Sequence, residues 1–162
     1  MARSQPGTSV IVFEPQLCTG CRYCEIVCAV WHCGQIDVTR SRIRILFDES
    51  RTTERYAAVN CQHCDDAICC AVCPSEALQK DEKTGWVTQN SSKCVGCEMC
   101  ILACPLSVPF FDAELKVAVK CDFCLGAPEC VKHCSSGALR LYARDEAVQV
   151  NAKLYLSAKD DQ

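Results

Sequence analysis

Cysteine constrains this chain more than any other residue type. The chain has 162 residues, of which 18 are cysteine, and a short chain with more than about 8–10 % cysteine is normally a disulfide or metal scaffold. Aromatic residues make up only 7 % of the chain, so a conventional apolar core would be thin. We therefore expect groups bound by the cysteines to supply much of the stability of the fold.

Sixteen of the cysteines form four groups with a repeated spacing. The first and third groups read C-x2-C-x2-C-x3-C, and the second and fourth add two or three residues before the third cysteine. The groups are Cys18, Cys21, Cys24 and Cys28; Cys61, Cys64, Cys69 and Cys73; Cys94, Cys97, Cys100 and Cys104; and Cys121, Cys124, Cys130 and Cys134. Cys33 and Cys70 stand outside the groups and are predicted to be small buried apolar residues, with an extra ligand or a labile thiol as the alternative.

This spacing favours iron–sulfur clusters over zinc or disulfides. Thiolates bind iron–sulfur clusters, zinc and copper. Three thiolates on one tight loop hold three corners of a cubane, whereas the fourth begins a helix and points to a different cluster. A structural zinc site usually takes its four ligands as two separated pairs, so a zinc-bound structural module is the weaker alternative. Four complete copies of the motif predict four 4Fe-4S clusters.

Other classes of protein find little support in the sequence. The apolar run at residues 10–13 is too short for a signal peptide, and no run reaches the length of a membrane span. We therefore expect a cytoplasmic, reducing location, where structural disulfides are rare. The net charge of −3 argues against nucleic acid as a partner. Nucleotide, phosphate and metalloprotease motifs are absent, as is a CxxxCxxC run of the radical-SAM type, so we predict an electron carrier that is not itself an enzyme.

Short strands and helices are predicted around the motifs, which indicates an α+β fold. We predict strands at residues 9–13 and 41–47, hairpins over residues 77–88 and 138–150, and helices over residues 21–30 and 97–104. Only twenty residues separate Cys73 from Cys94, so the second and third motifs are predicted to form one ferredoxin-like lobe, residues 56–114. The first and fourth motifs then form an outer ferredoxin-like lobe, residues 1–55 and 115–162, into which the other is inserted.

Through its sixteen cysteines, the segment 9–150 resembles the four-cluster iron–sulfur electron-transfer subunits of complex oxidoreductases. That family includes the iron–sulfur subunits of dimethyl sulfoxide reductase, formate dehydrogenase and formate hydrogenlyase. A closer likeness lies in CTGCRYCE from Cys18, WHCG from Trp31 and SRIR from Ser41. These segments are similar to the short ferredoxin-like subunits that accompany tungsten aldehyde oxidoreductases and class II benzoyl-CoA reductases.

The resemblance implies crossed ligation within each lobe. In the outer lobe, one cluster would take Cys18, Cys21, Cys24 and Cys134, and the other Cys121, Cys124, Cys130 and Cys28. In the inserted lobe, one cluster would take Cys61, Cys64, Cys69 and Cys104, and the other Cys94, Cys97, Cys100 and Cys73. The sequence departs from the family pattern where Ala29 and Ser135, rather than proline, follow the fourth cysteine, which leaves the helix ends there less defined. Cys70 is an alternative to Cys69 after a local slip.

The function implied by the resemblance is the relay of single electrons to or from a catalytic subunit. A tungsten enzyme of the aldehyde oxidoreductase type is the first expectation. The alternatives are a subunit of a molybdenum formate dehydrogenase, of a nickel hydrogenase or of a carbon monoxide dehydrogenase, and a freely diffusing polyferredoxin. A hetero-oligomer is expected, with a flavoprotein or ferredoxin as a further partner. Residues 151–162 are either an unordered end or an arm that binds a partner subunit.

Several side chains beside the motifs are expected to have ordinary roles. No motif lacks a cysteine, so His32, His63 and His133 are expected to pack or to form hydrogen bonds rather than to bind iron. Basic residues next to ligands would offset some cluster charge, but each is predicted to be an ordinary solvated side chain; they are Arg22, Lys93, Lys120 and Lys132.

Overall fold

Thirteen short helices and strands make up the fold. A computed structural model describes residues 9–157, apart from the side chains of residues 155 and 157. The elements in chain order are β1 Ser9–Phe13, α1 Tyr23–Cys33, β2 Arg44–Phe47, β3 Tyr56–Val59, α2 Ile68–Ala71, β4 Leu78–Lys80, β5 Val87–Gln89, α3 Met99–Ala103, β6 Phe110–Asp112, β7 Val117–Val119, α4 Glu129–Lys132, β8 Leu139–Ala143 and α5 Arg144–Ser157. The predicted mixture of short strands and short helices is confirmed.

The pairing of β1 with β8 brings the two ends of the described chain together. The strands are antiparallel, with Ser9 opposite Ala143 and Phe13 opposite Leu139. The β1 side chains from Val10 to Val12 are all at most 5 % exposed, because β8 covers one edge of the strand and α5 packs beside it. An apolar run without alternation is typical of a strand buried on both faces.

Three local hairpins complete the strand pairing. They join β2 to β3, β4 to β5 and β6 to β7. The predicted hairpin over residues 77–88 is present, and Gly85 turns it with a φ of +67°, a left-handed conformation that glycine adopts without a steric penalty. The strand predicted from residue 41 begins only at Arg44, because the Ser41 hydroxyl donates to the Ile43 carbonyl at 2.7 Å and holds a local turn.

The predicted hairpin over residues 138–150 is wrong in its second half. β8 takes β1 as its partner, and the chain continues directly into helix α5. Ala147, Val150 and Leu154 recur at helical spacing and pack against Val10 and Val12 of β1, so this face of the helix is covered. Leu154, in the segment predicted to be an unordered end or a partner-binding arm, therefore belongs to a small core. Residues 158–162 of the predicted tail lie outside the described residues.

The helices of the first and third motifs start later than predicted. α1 begins at Tyr23 and α3 at Met99, because the preceding residues, Arg22 and Glu98, adopt left-handed conformations with φ of 57° and 59°. α1 packs on α4, and α2 packs on α3. Each of these pairs joins two motifs that are distant in sequence.

Cysteine side chains supply much of the buried core. The larger core cluster includes Cys24, Cys28, Cys121 and Cys130, and Phe123 is the largest fully buried side chain of the described residues. Of the helices among residues 9–157, none combines the length and apolarity needed to cross a membrane.

Candidate metal centres

Four sets of cysteines converge in the structure, and each set draws on two motifs. The first set, named site 1, is Cys18, Cys21, Cys24 and Cys134. Burial raises the pKa of Cys18, and the nearby sulfurs of Cys21 and Cys134 add to the shift. Burial raises the pKa of Cys24 to about 12, with contributions from the adjacent Glu25 carboxylate and the same two sulfurs.

Site 2 is the most enclosed of the four sets. It comprises Cys28, Cys121, Cys124 and Cys130, all of which are buried. Burial raises the pKa of Cys130, and the sulfurs of the three others add to the shift. Cys28 is the fourth cysteine of the first motif, and its sulfur accepts the Arg42 N–H at 3.3 Å.

Sites 3 and 4 combine the second and third motifs. Site 3 is Cys61, Cys64, Cys69 and Cys104. Burial raises the pKa of Cys61, and the sulfurs of Cys64 and Cys104 add to the shift. The sulfur of Cys61 in turn helps to raise the pKa of Cys69. Site 4 is Cys73, Cys94, Cys97 and Cys100: burial raises the pKa of Cys100, and the sulfurs of the other three cysteines raise it further.

Cysteines of sites 1 and 2 share one packed cluster with Cys61 of site 3, and cysteines of sites 3 and 4 share another, which is consistent with the order 1, 2, 3, 4. The sulfur of Cys24 interacts with that of Cys130, which links sites 1 and 2. Cys61 interacts with Cys121, which links sites 2 and 3. Cys70 interacts with Cys73 as well as with Cys61, so it stands between sites 3 and 4.

Both cysteines outside the groups are only half buried, so the prediction that Cys33 and Cys70 are buried is wrong.

Hydrogen-bond donors favour the anionic form of two fourth cysteines. Burial alone would raise the pKa of Cys73, but the N–H groups of Leu78, Ala77 and Ser75 and the Ser75 hydroxyl outweigh it and lower the pKa below the ordinary value. Cys134 repeats this arrangement, with lowering by the corresponding donors of residues 136–139. Donors that favour the thiolate suit a metal ligand, because the thiolate is the form that binds metal.

The chemistry and space of the sites fit metal clusters held by thiolates. All eighteen cysteines are among the described residues and none forms a disulfide. The four cysteines of site 4 line one surface pocket, and the four of site 1 line another. Four convergent sulfurs around a space, with N–H donors directed at them, match the needs of a 4Fe-4S cluster.

Lys120 is buried, so the prediction that it is a solvated side chain is wrong. It is 3 % exposed, and its Nζ donates to the carbonyls of Val87 and Cys121. No carboxylate of the described chain lies within 4 Å of it. Its ammonium interacts instead with cysteines of sites 2 and 3, among them Cys61 and Cys69. The sequence signal for this burial is a lysine inside the apolar run 117–121, which has no polar alternation. Arg22, Lys93 and Lys132 are exposed as predicted.

The three histidines pack and form hydrogen bonds, as expected. His63 is fully buried and accepts the Val87 N–H at Nδ1 at 3.0 Å. Burial lowers its pKa to about 3, and the positive charge of Lys120 adds to the shift. His133 Nε2 lies 3.2 Å from Glu129.

His32 is the histidine nearest to a site cysteine. Its Nε2 lies 3.9 Å from the Cys124 sulfur and 3.5 Å from Asp122. The three side chains are close enough together to bind one metal ion. Cys124 is already part of site 2, so they do not form a separate centre.

One backbone feature recurs in all four motifs. The third residue of each C-x2-C has a positive φ: Gly20 at 69°, Gly96 at 68°, His63 at 46° and Phe123 at 59°. A side chain at Gly20 would clash with the Tyr56 ring. The second and fourth motifs instead carry large side chains in this conformation, which residues other than glycine seldom adopt.

Comparison with known proteins identifies the family. Residues 52–144, which span the second to fourth motifs, match the family described as 4Fe-4S dicluster domain. The chain belongs to this 4Fe-4S dicluster family. The predicted binding of 4Fe-4S clusters is thereby confirmed in kind.

Relatives in this family are electron-transfer subunits. The polyferredoxin-like subunit of an aliphatic sulfonate oxidoreductase from Pyrococcus furiosus is 41 % identical over 76 % of this chain and 70 % of its own length. The thiosulfate reductase electron transfer subunit PhsB of Salmonella typhi is 32 % identical over 85 % of this chain and 77 % of its own length. The beta subunit of an NADH-dependent phenylglyoxylate dehydrogenase from Aromatoleum evansii is 37 % identical over 82 % of this chain, which spans 30 % of that subunit. The prediction of a non-catalytic iron–sulfur electron-transfer protein is confirmed.

One solved structure shows a more distant similarity. The active site complex BamBC of Benzoyl Coenzyme A reductase, in complex with 1,5 Dienoyl-CoA, aligns over 93 % of this chain and 90 % of its own, with 24 % identity and a TM-score of 0.49.

Proposed function

We propose that this chain relays single electrons through four 4Fe-4S clusters, one at each of sites 1 to 4, to or from a catalytic oxidoreductase subunit. The observation that carries the proposal is the convergence of all sixteen motif cysteines into four sets of four. Each set contains three cysteines of one motif and the fourth cysteine of another. We propose that these sets correspond to the crossed ligation that the family resemblance implied.

The proposed architecture is a pair of lobes, each with two clusters. Of the described residues, 9–55 and 115–157 form the proposed outer lobe, which holds sites 1 and 2. Residues 56–114 form the proposed inserted lobe, which holds sites 3 and 4. Two hairpins span the proposed boundaries, because β2 pairs with β3 and β6 pairs with β7. The ion pair of Arg40 with Asp112 at 2.8 Å adds a further bond between the lobes.

Bound clusters would supply the one-electron chemistry, and the residues around them would tune the reduction potentials. N–H groups directed at Cys28, Cys73 and Cys134 stabilise added negative charge at the sulfurs. Hydrogen bonds of this kind raise a reduction potential. Lys120 places a positive charge between the sites, which acts in the same sense. The order of the sites makes 1 and 4 the ends at which electrons enter and leave.

A docked catalytic partner is the proposed context. The relatives from Pyrococcus furiosus and Salmonella typhi are named as subunits of oxidoreductases. At site 4, Val95, Met99 and Leu102 are 68 %, 46 % and 81 % exposed, and Met99 and Leu102 share one face of α3. Exposed apolar surface of this kind marks a protein contact, and we assign it to the catalytic subunit. A tungsten enzyme of the aldehyde oxidoreductase type remains our first expectation, and a cytoplasmic location stays a prediction from the sequence.

Cysteine variants test the proposed ligand sets. Iron content near sixteen per chain is expected for the anaerobically isolated protein. Cys134→Ala and Cys18→Ala should alter the same electron paramagnetic resonance (EPR) signal, because both belong to site 1. Cys121→Ala, from the same motif as Cys134, should alter a different one. If Cys134→Ala matched Cys121→Ala instead, ligation would follow the motifs and the crossed sets would be refuted. Cys33→Ala is the control and should leave the iron content unchanged.

Metal analysis of the complex tests the partner. The tagged protein is isolated anaerobically from its native host with whatever co-elutes. Tungsten beside iron supports an aldehyde oxidoreductase or benzoyl-CoA reductase type of enzyme, whereas molybdenum or nickel points to formate, hydrogen or carbon monoxide chemistry. Iron alone, with no partner band, would refute the docked subunit and favour a freely diffusing polyferredoxin.

A further inference from the structure

His63 carries an N–H group for which the protein offers no acceptor. Its side chain is fully buried, and Nδ1 accepts the Val87 N–H at 3.0 Å. A neutral imidazole has one proton, so acceptance at Nδ1 places that proton on Nε2. Nε2 is buried and has no hydrogen-bond partner in the described chain. A buried donor without a partner is costly, so such groups normally have one.

A second donor of the same kind lies close by. The Nε1 of Trp86 is also buried without a partner, and these two atoms are the complete set of such side-chain atoms among residues 9–157. Both rings contact Phe123: His63 edge-on with centroids 4.7 Å apart, and Trp86 stacked at 5.2 Å. The two buried N–H donors that lack an acceptor therefore belong to rings on either side of Phe123.

These rings lie between sites 2 and 3. Phe123 belongs to the loop that joins Cys121 to Cys124 of site 2, and His63 belongs to the loop that joins Cys61 to Cys64 of site 3. Cys61 and Cys121 interact across the same junction. Phe123, Cys121, Cys61 and Trp86 belong to one packed cluster, so cysteines of both sites lie in the same cluster as these rings.

The backbone is adapted to place these rings. His63 and Phe123 occupy, at positive φ, the position that is glycine in the first and third motifs. Their conformation would suit glycine best, so the ring at each position is kept at a conformational cost. Arg144 holds the His63 loop in place by donating to the His63 carbonyl at 2.9 Å.

We propose that His63 Nε2–H donates a hydrogen bond to a sulfur of the cluster at site 2 or site 3, with Trp86 Nε1–H as a second donor at the same junction. The inference rests on the proposed function, because it requires clusters at these sites. His63 is then a positioning residue for the cluster. Its hydrogen bond stabilises the reduced form of that cluster and raises the reduction potential of the cluster relative to a site without the donor.

Nitrogen hyperfine spectroscopy tests the hydrogen bond directly. The chain has three histidines, so His32→Gln and His133→Gln together leave His63 as the sole histidine. The protein is labelled with 15N-histidine, reduced, and examined by electron–nuclear double resonance in H2O and D2O. We expect a 15N coupling to a reduced cluster, together with an exchangeable-proton coupling that is lost in D2O. Full iron content without a 15N coupling would overturn the inference, and a bridging water would give that result.

Redox titration provides the second readout. His63→Asn keeps a residue that tolerates positive φ but removes the ring, and Trp86→Phe keeps an aromatic ring for stacking on Phe123 and removes only the N–H. Each is expected to lower one midpoint potential, the same one in both variants, while the other three stay unchanged. Unchanged potentials in His63→Asn with full iron content would also overturn the inference. If the starting protein held fewer than four clusters, with none at sites 2 and 3, the proposed function would fail instead, and iron content distinguishes the two failures.

Discussion

Neutralising Lys120 should lower the reduction potential of the clusters around it. The ammonium is 3 % exposed, has no carboxylate partner within 4 Å in the described chain, and interacts with cysteines of sites 2 and 3. It also lines the cavity of site 4. A buried charge without a counter-ion is costly, so anionic clusters are the natural compensation for this one. Lys120→Met keeps a flexible stem of similar length and removes the charge.

The expected size follows from Coulomb's law. Two unit charges about 7 Å apart at an effective dielectric constant of about 20 interact by about 2 kcal/mol. For a one-electron couple, about 1.4 kcal/mol corresponds to about 59 mV, so the midpoint potential of the nearest cluster should fall by about 0.1 V. Site 1 should shift least, because Lys120 interacts with Cys121 of site 2 and lines the pocket of site 4 but not that of site 1.

The assay is an anaerobic redox titration monitored by EPR. Lys93→Met is the matched control. Lys93 directly precedes the first cysteine of the third motif, just as Lys120 directly precedes the first cysteine of the fourth motif. Lys93 is exposed, however, so water and salt screen its charge. Lys120→Arg keeps the charge and should stay close to the wild-type potentials. Equal shifts in Lys93→Met and Lys120→Met, or no shift in Lys120→Met with full iron content, would refute the reasoning.

Three further predictions concern stability. Removal of iron by a chelator should abolish cooperative thermal unfolding, because folding depends on the bound metal; calorimetry that shows a cooperative transition in the cluster-free chain would contradict this. Ala147→Asp buries a charge between α5 and β1, where Ala147 is 2 % exposed, and should lower the unfolding free energy in urea by about 2–4 kcal/mol. Val148→Asp, at a position 67 % exposed, should change it by less than about 0.5 kcal/mol, and similar losses in both would argue against this packing. Arg40→Met leaves the buried Asp112 without its partner at 2.8 Å and should cost about 3 kcal/mol in the same assay. The control is the exposed Arg55→Met, which loses only a contact with the Phe47 ring and should cost less than about 1 kcal/mol.

Local features of the fold were predictable because they depend on neighbours in sequence. The cysteine spacing indicated iron–sulfur chemistry, since three ligands of a site fall within a short loop. Gly85 in a polar turn indicated the β4–β5 hairpin, and the apolar run at residues 10–13 indicated β1. Helix starts were less well predicted, because the left-handed residues Arg22 and Glu98 delay them.

Features that depend on distant partners were not predictable in the same way. Residues 147–150 alternate in a manner compatible with a strand, but β8 already has β1 as its partner and Ala147 packs on β1 as part of a helix. Lys120 and His63 looked like ordinary polar residues beside ligands, and only the packing of the second and fourth motifs against each other buries them.

The sequence by itself therefore determined the chemistry: the thiolate groups, the kind of cluster they suit and the family of electron carriers they indicate. The tertiary structure alone brings the fourth cysteine of each motif close to the first three of another and encloses polar groups between the sites. The physical reason is that ligand spacing along a loop is a covalent property of the chain. The approach of Cys134 to Cys18, or of Cys61 to Cys121, depends instead on how helices and strands far apart in sequence pack together.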